Sequence, residues 1–206
     1  MNKKTIATIG LCMIAIIWGT AFIAVDDALI NGWETFPILM VRGLLGGLIA
    51  LPFAIRKQFW KHKETIKNGL IMGFVFFLAY TAQTFGQQIS NVVNSAFLTA
   101  LYVVFAPLIL RLIYKKKQDK RVYYGSLVAI IGVLFLTVLD SSGGVSFNFG
   151  DVLLIFCAFF FALQIVYASK CKGCDPLSIT FIQLTTMGVL SLIMMFVTNQ
   201  TYLPKE

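Results

Sequence analysis

The sequence predicts an all-α, polytopic membrane protein with seven transmembrane helices. Three observations carry that expectation. Hydrophobic residues make up 58% of the 206 and charged residues only 13%, with a mean hydropathy of +0.83, too little polar surface to coat a soluble globule of this size. Seven apolar stretches follow one another, each close to the ~20 helical residues that cross a hydrocarbon core of about 30 Å. The lysines and arginines gather in alternate connections between them.

The first stretch, Thr5–Val25, follows Lys3 and Lys4 as the apolar part of a signal peptide would. It is long for that role, however, and Asp26 and Asp27 stand where a small-residue cleavage site belongs, so it is expected to stay as a helix. The second, Phe36–Ile55, carries Arg42 inside "ILMVRGLLGGLIAL" and a Gly43/Gly47 spacing that allows close backbone approach. After a basic connection, Arg56–Asn68, with Trp60 as an interfacial anchor, the third stretch is Gly69–Gln88, opening on Gly69/Gly73. The fourth, Ser95–Tyr114, contains Pro107, which is expected to kink it. The fifth is Val122–Leu139, with a small-residue pair at Gly125/Ala129. The polar segment "DSSGGVSFNFGD", Asp140–Asp151, interrupts the apolar pattern and marks a boundary between residues 1–140 and 148–206. Val152–Ala168 and Pro176–Val197 complete the seven.

Only Arg42 and Arg111 are charged within these limits, and no carboxylate is expected inside a span. Arg111 lies near a helix end and can reach the interface along its own stem. All other basic residues except Lys205 fall before the first helix or in every second connection, whereas Asp26, Asp27, Glu34, Asp140 and Asp151 lie on the opposite side. The positive-inside rule then places the N-terminus in the cytoplasm and residue 206 outside, in the cell membrane. The net charge of +8 reads as a topology signal whose partners are membrane lipid headgroups, not nucleic acid.

Cys12 and Cys157 fall in helices as small apolar fillers. Cys171 and Cys174 form C-K-G-C, but zinc would need two more ligands and the one histidine, His62, lies in another connection. No metal site and no cofactor are expected.

The two parts align weakly. "CMIAIIWGTAFIA" (Cys12–Ala24) lies over "IFCAFFFALQIVY" (Ile155–Tyr167), with Trp18 opposite Phe161; "PILMVRGLLGGLIAL" lies over "SITFIQLTTMGVLSL", with Arg42 opposite Gln183. Five helices separate the copies, so a repeat in the predicted topology must be inverted, an arrangement common in secondary transporters.

With "IIWGTAFI" in the first helix, an arginine in the second, "NSAFLTALYVVFAPL" in the fourth, "GSLVAIIGVLFL" in the fifth and "GDVLLIFCAFFFALQIVYASK" opening the sixth, the chain resembles the EamA-like branch of the drug/metabolite transporter superfamily. The resemblance implies two inverted five-helix repeats and the movement of small organic metabolites. This sequence holds one full repeat and the first two helices of a second. A homo-oligomer or a completing chain is therefore an expected partner, and the alternative is a truncated fragment or assembly subunit that does not transport alone.

The helical rise of 1.5 Å per residue places the polar residues by depth. Arg42 and Trp18 both fall about 10 Å below the outer surface. Tyr80, Gln83 and Gln87 share one helix face, as do Ser95, Thr99 and Tyr102. Polar groups from four helices thus meet at one level, as a central cavity requires. The candidate substrate-binding residues are Trp18, Phe22, Arg42, Tyr80, Gln83, Thr99, Tyr102 and, from the second part, Gln164. Arg42 would face the cavity, compensating a substrate's negative charge or braced by Gln83 and the tyrosines; the competing role is to fix helix packing. Amino acids or similar small anionic or zwitterionic metabolites are the expected substrates. A retinal-type receptor is disfavoured by the topology and by the lack of lysine in the seventh helix, and the absence of hydrolase or zinc-protease motifs argues against an enzyme.

Overall fold

A computed structural model describes residues 3–115, 118–138 and 147–200. Among these residues the chain is helical with no strand: α1 Lys3–Ile30, α2 Thr35–Arg56, a 3-10 turn at Phe59–Lys61, α3 Lys63–Ile89, α4 Val92–Ala100, α5 Tyr102–Tyr114, α6 Lys120–Val138, α7 Phe149–Ala168 and α8 Pro176–Val197. Six segments are long and apolar enough to cross a membrane: α1, α2, α3, α4 and α5 taken together, α7, and α8. Helix α6 opens on Lys120 and Arg121, and the predicted end of its span, Leu139, lies outside the described residues. So does most of the proposed boundary segment.

Helix starts follow local chemistry. Asn91 caps α4 by accepting the Asn94 N–H at 2.7 Å. Asn148 accepts the Asp151 N–H at 3.1 Å while Asp151 accepts the Asn148 N–H at 3.0 Å, a reciprocal capping box. Asp175 caps α8 ahead of Pro176, which needs no N–H partner in the first turn. Partial burial pushes the Asp175 carboxyl up, but the Ser178 N–H and hydroxyl, with Lys57 nearby, pull it further down, so it sits below its ordinary value. A carboxylate lowered in this way stabilises fully above the ordinary carboxylate range and loses that contribution as pH falls through its folded value. Asp175→Ala is expected to cost about 1 kcal/mol at neutral pH. The thermal-midpoint gap between variant and wild type should close in acid; a constant gap would mean that the cap does not act through the ionised carboxylate.

The fourth predicted span is two helices. The interruption falls at Leu101, where 3-10 bonds replace the α pattern (Leu101 N–H to Leu98 O at 3.1 Å, Val104 N–H to Leu101 O at 2.9 Å), and Pro107 lies within α5. The expectation of carboxylate-free spans is corrected in three helices, one of them α3, whose first turn holds Glu64. Asp26 and Asp27 continue α1 into its last turn, and Asp151 lies in the first turn of α7, wholly buried, accepting the Ser90 hydroxyl at 2.6 Å. The capping box draws the carboxylate into the helix, where its oxygens are satisfied by hydrogen bonds and not by a cation.

The most extensive helix pairs are α2 with α8 and α3 with α7, and α3 also packs on α8. Glycines permit these crossings. A Cβ on Gly43 would lie 2.5 Å from the Gly188 nitrogen, and one on Gly69 2.8 Å from Ile182. The contacts between α2 and α8 are reciprocal: Gly47 lies on Thr185 and Gly188 on Leu44, pairs that exchange under the alignment setting Arg42 opposite Gln183. A Cβ added to Gly125, by contrast, would meet nothing within 4 Å, so the Gly125/Ala129 pair is not a close crossing among the described residues. Of the six candidate spans α1 is the least covered: only 6% of its most apolar window is buried, against 44% in α7.

Candidate functional site

A cavity of about 270 Å³ lies in the half of the bundle nearer the α1–α2 and α3–α4 turns. That volume is near the lower end of small-molecule sites, ~300–1,000 Å³. Helix α1 supplies Trp18, Phe22 and Val25, with Ala15, Gly19 and Ala21 leaving room between them. Helix α2 contributes Arg42; α3 contributes Tyr80, Gln83 and Gln87 from one face; α4 and α5 contribute Ala96, Thr99, Ala100 and Tyr102 on either side of the Leu101 interruption; and α7 contributes Phe161.

Seven of the eight residues expected from the sequence therefore line one space: Trp18, Phe22, Arg42, Tyr80, Gln83, Thr99 and Tyr102. Gln164 does not. Its amide donates to Gln183 Oε1 at 3.1 Å, and it borders a separate, apolar cleft between α3, α5 and α7.

Arg42 is half-buried, and its guanidinium carbon lies 4.6 Å from the centre of the Tyr80 ring, within cation–π range. Tyr80 braces it, but Gln83 does not: the Gln83 amide donates to Thr99 Oγ1 at 3.4 Å, and Thr99 also meets the Cys157 thiol at 3.9 Å. Gln87 donates to the Phe22 carbonyl at 2.8 Å, tying α3 to α1. No aspartate or glutamate lines the cavity among the described residues.

Its floor is aromatic. Phe76, Tyr80 and Phe161 meet edge to face, with ring centres 4.6 Å apart for Phe76–Tyr80, 5.1 Å for Tyr80–Phe161 and 5.8 Å for Phe76–Phe161. Beyond the floor come the Gln164–Gln183 pair and then a polar tie in which the Tyr167 hydroxyl donates to Asn68 Oδ1 at 2.8 Å and the Asn68 amide approaches Cys174 Sγ at 3.5 Å. Cys171 donates to the Tyr167 carbonyl, and burial with Cys174 beside it pushes its thiol pKa up. The C-K-G-C segment thus joins the polar tie.

Sequence reasoning misses Phe161 as a site residue, although its alignment opposite Trp18 is a signal for it. Ala96, Ala100 and Gly19 carry none, because they act by leaving volume empty.

Comparison with known proteins matches residues 5–138 to the family described as the EamA-like transporter family. The chain is 37% identical over 190 residues to an uncharacterized transporter of Archaeoglobus fulgidus, covering 92% of this chain and 58% of the relative. It is 29% identical to an uncharacterized transporter in the sor 3' region of Acidianus ambivalens, covering 71% and 54%, and 24% identical to the uncharacterized transporter YdfC of Bacillus subtilis, covering 82% and 57%. The chain thus spans little more than half the length of these curated relatives. No solved structure matches.

Proposed function

The chain belongs to the EamA-like transporter family, and from that premise we propose that it moves small organic metabolites, amino acids or compounds of similar size, across the cell membrane by alternating access. Trp18, Phe22, Arg42, Tyr80, Gln83, Thr99 and Tyr102 contact the substrate in the cavity. Gln164 acts below it, in the layer that must part when the site opens the other way.

One observation carries this reading: polar and aromatic side chains from α1, α2, α3, α4, α5 and α7 line one cavity, with an aromatic cluster, the Gln164–Gln183 pair and the Tyr167–Asn68 bond following it along the bundle. With the N-terminus in the cytoplasm, as the charge asymmetry implies, the cavity lies in the outer half of the bundle. Residues 1–140 and 148–206 form the two inverted units, a division supported by the reciprocal contacts of Gly47 with Thr185 and of Gly188 with Leu44. Rocking of one unit against the other about this α2–α8 contact closes the upper cavity and opens the lower layers. The basic connections rest on anionic headgroups of the inner leaflet.

The test is reciprocal accessibility. In a background without native cysteines, Ala96→Cys reports the upper cavity and Gln183→Cys the lower layers, each labelled with a membrane-impermeant maleimide. A transported metabolite is expected to slow one reaction and speed the other. Parallel changes at both sites would sink the mechanism.

A second reading has its own support. Helix α7 is packed by α3, α4 and α5, whereas its counterpart α1 is almost uncovered. Under this reading transport requires further helices against α1, from a second copy or another chain. It predicts that liposomes holding a single copy each bind without transporting.

A further inference from the structure

We propose that the cavity selects a monovalent organic anion, a carboxylate carried on a flat apolar body, over zwitterions and amines. This rests on the reading of the cavity as a transport site and narrows its substrates, within the same size class, from amino acids to monoanions.

The charge of the lining points first to an anion. Arg42 is its one charged residue among the described residues; its guanidinium lies against the Tyr80 ring face, and its N–H donors make no hydrogen bond to another described residue. Such a fork matches a carboxylate bidentately. A monoanion brings the cavity to neutrality; a zwitterion leaves it at one positive charge, and an amine raises it to two. With so little polar surface around it, an unneutralised charge at this depth is costly, so the ranking by net charge is steep.

The remaining donors reinforce the preference. The Gln83 and Gln87 amides each spend one N–H, on Thr99 and on the Phe22 carbonyl, which leaves an uncharged polar ligand one neutral N–H from each against the charged fork of Arg42. What the cavity otherwise offers is ring surface from Trp18, Phe22, Tyr102 and Phe161, with the small side chains of Ala96 and Ala100 leaving room beside it. A flat apolar body slides between such walls with its carboxylate toward Arg42.

Three probes with one ring and different charge decide the matter: benzoate, L-phenylalanine and benzylamine. Each is radiolabelled and equilibrated against the protein in phosphatidylcholine nanodiscs, whose lipid carries no net charge to bias the result. Benzoate is expected to bind at least ten-fold more tightly than either other probe. Arg42→Gln should lose ten-fold or more of the benzoate affinity, and Arg42→Lys, which keeps the charge without the fork, should fall between. Thermal melting of each variant establishes that it is folded. Equal or tighter binding of phenylalanine or benzylamine, no benzoate binding, or unchanged benzoate affinity in folded Arg42→Gln would overturn the proposal. The ranking on the wild-type protein decides even where Arg42→Gln does not fold. Binding is read apart from movement: benzoate that binds but is not carried into liposomes removes the reading of transport by this chain alone and leaves the anion site standing.

Discussion

Replacing Gly43 with leucine is expected to destabilise the bundle by about 3 kcal/mol or more, the upper end of over-packing costs. In lipid no hydrophobic drive presses helices together, so their association rests on close van der Waals contact, which small residues permit. At Gly43 a Cβ would meet backbone, the Gly188 nitrogen at 2.5 Å and its Cα at 2.6 Å, with the Leu184 carbonyl at 2.8 Å. Backbone cannot rotate away as a side chain can, so α2 and α8 must separate along their most extensive contact. Two controls on the same measurement isolate the cause. Gly46→Ala meets only the end of the Leu184 side chain, at 3.0 Å, and should cost far less. Gly125→Ala meets nothing within 4 Å and gains helix propensity, so it should be neutral or stabilising by up to ~1 kcal/mol. If Gly43→Leu melted with Gly46→Ala in lipid nanodiscs, α2 and α8 would not cross at Gly43.

The same glycines show how far the sequence could be read. Their spacing announced close approach, and at Gly43 and Gly69 the partner helix is there; at Gly125 the same kind of spacing faces open space, because spacing states what a helix permits and not what lies opposite. The spans were legible because hydrocarbon imposes one length and one chemistry on every crossing. The break at Leu101 was not: Pro107 drew attention, yet the change of hydrogen-bonding pattern falls six residues earlier. Asp151 could have been placed better, since Asn148 and Asp151 stand at capping-box spacing and that motif pulls a carboxylate into the first turn.

The cavity residues were legible for a related reason. Polar side chains at one depth on several apolar helices need somewhere to go, and Arg42, Tyr80, Gln83 and Thr99 found it together. Gln164 shares their chemistry but meets Gln183 beyond the aromatic floor. Depth along one helix does not fix the neighbour at that depth; that depends on which faces α7 and α8 turn to each other, information that exists only once the helices are packed.

Tyr80→Ala is expected to open the floor and to leave Arg42 without its brace. Tyr80 has two neighbourhoods. Its face lies under the Arg42 guanidinium at 4.6 Å, and its edges meet Phe76 and Phe161 in the layer that separates the cavity from the Gln164–Gln183 pair. Tyr80 is half-buried, so truncating it falls at or below the lower end of the ~3–5 kcal/mol lost with a fully buried ring, and the cation–π contact adds up to ~2 kcal/mol when desolvated. Tyr80→Phe keeps ring, face and edges and removes only the hydroxyl, so it separates floor from hydrogen bonding. The measurement is the labelling rate of Gln183→Cys, in a background without native cysteines, by an impermeant maleimide added from the cavity side. Gln183 is only 7% exposed, so the rate should be low with Tyr80 or Phe at position 80 and at least ten-fold higher with Ala. Thermal melting shows whether each variant keeps its fold during the assay. Equal rates in folded Tyr80→Ala and Tyr80→Phe would show that the ring does not seal the cavity. A rise with both would assign the seal to the hydroxyl. With Ala alone fast, the ring that steadies the cavity's charge is also the ring that closes its path, so an anion drawing Arg42 away from Tyr80 acts directly on the floor.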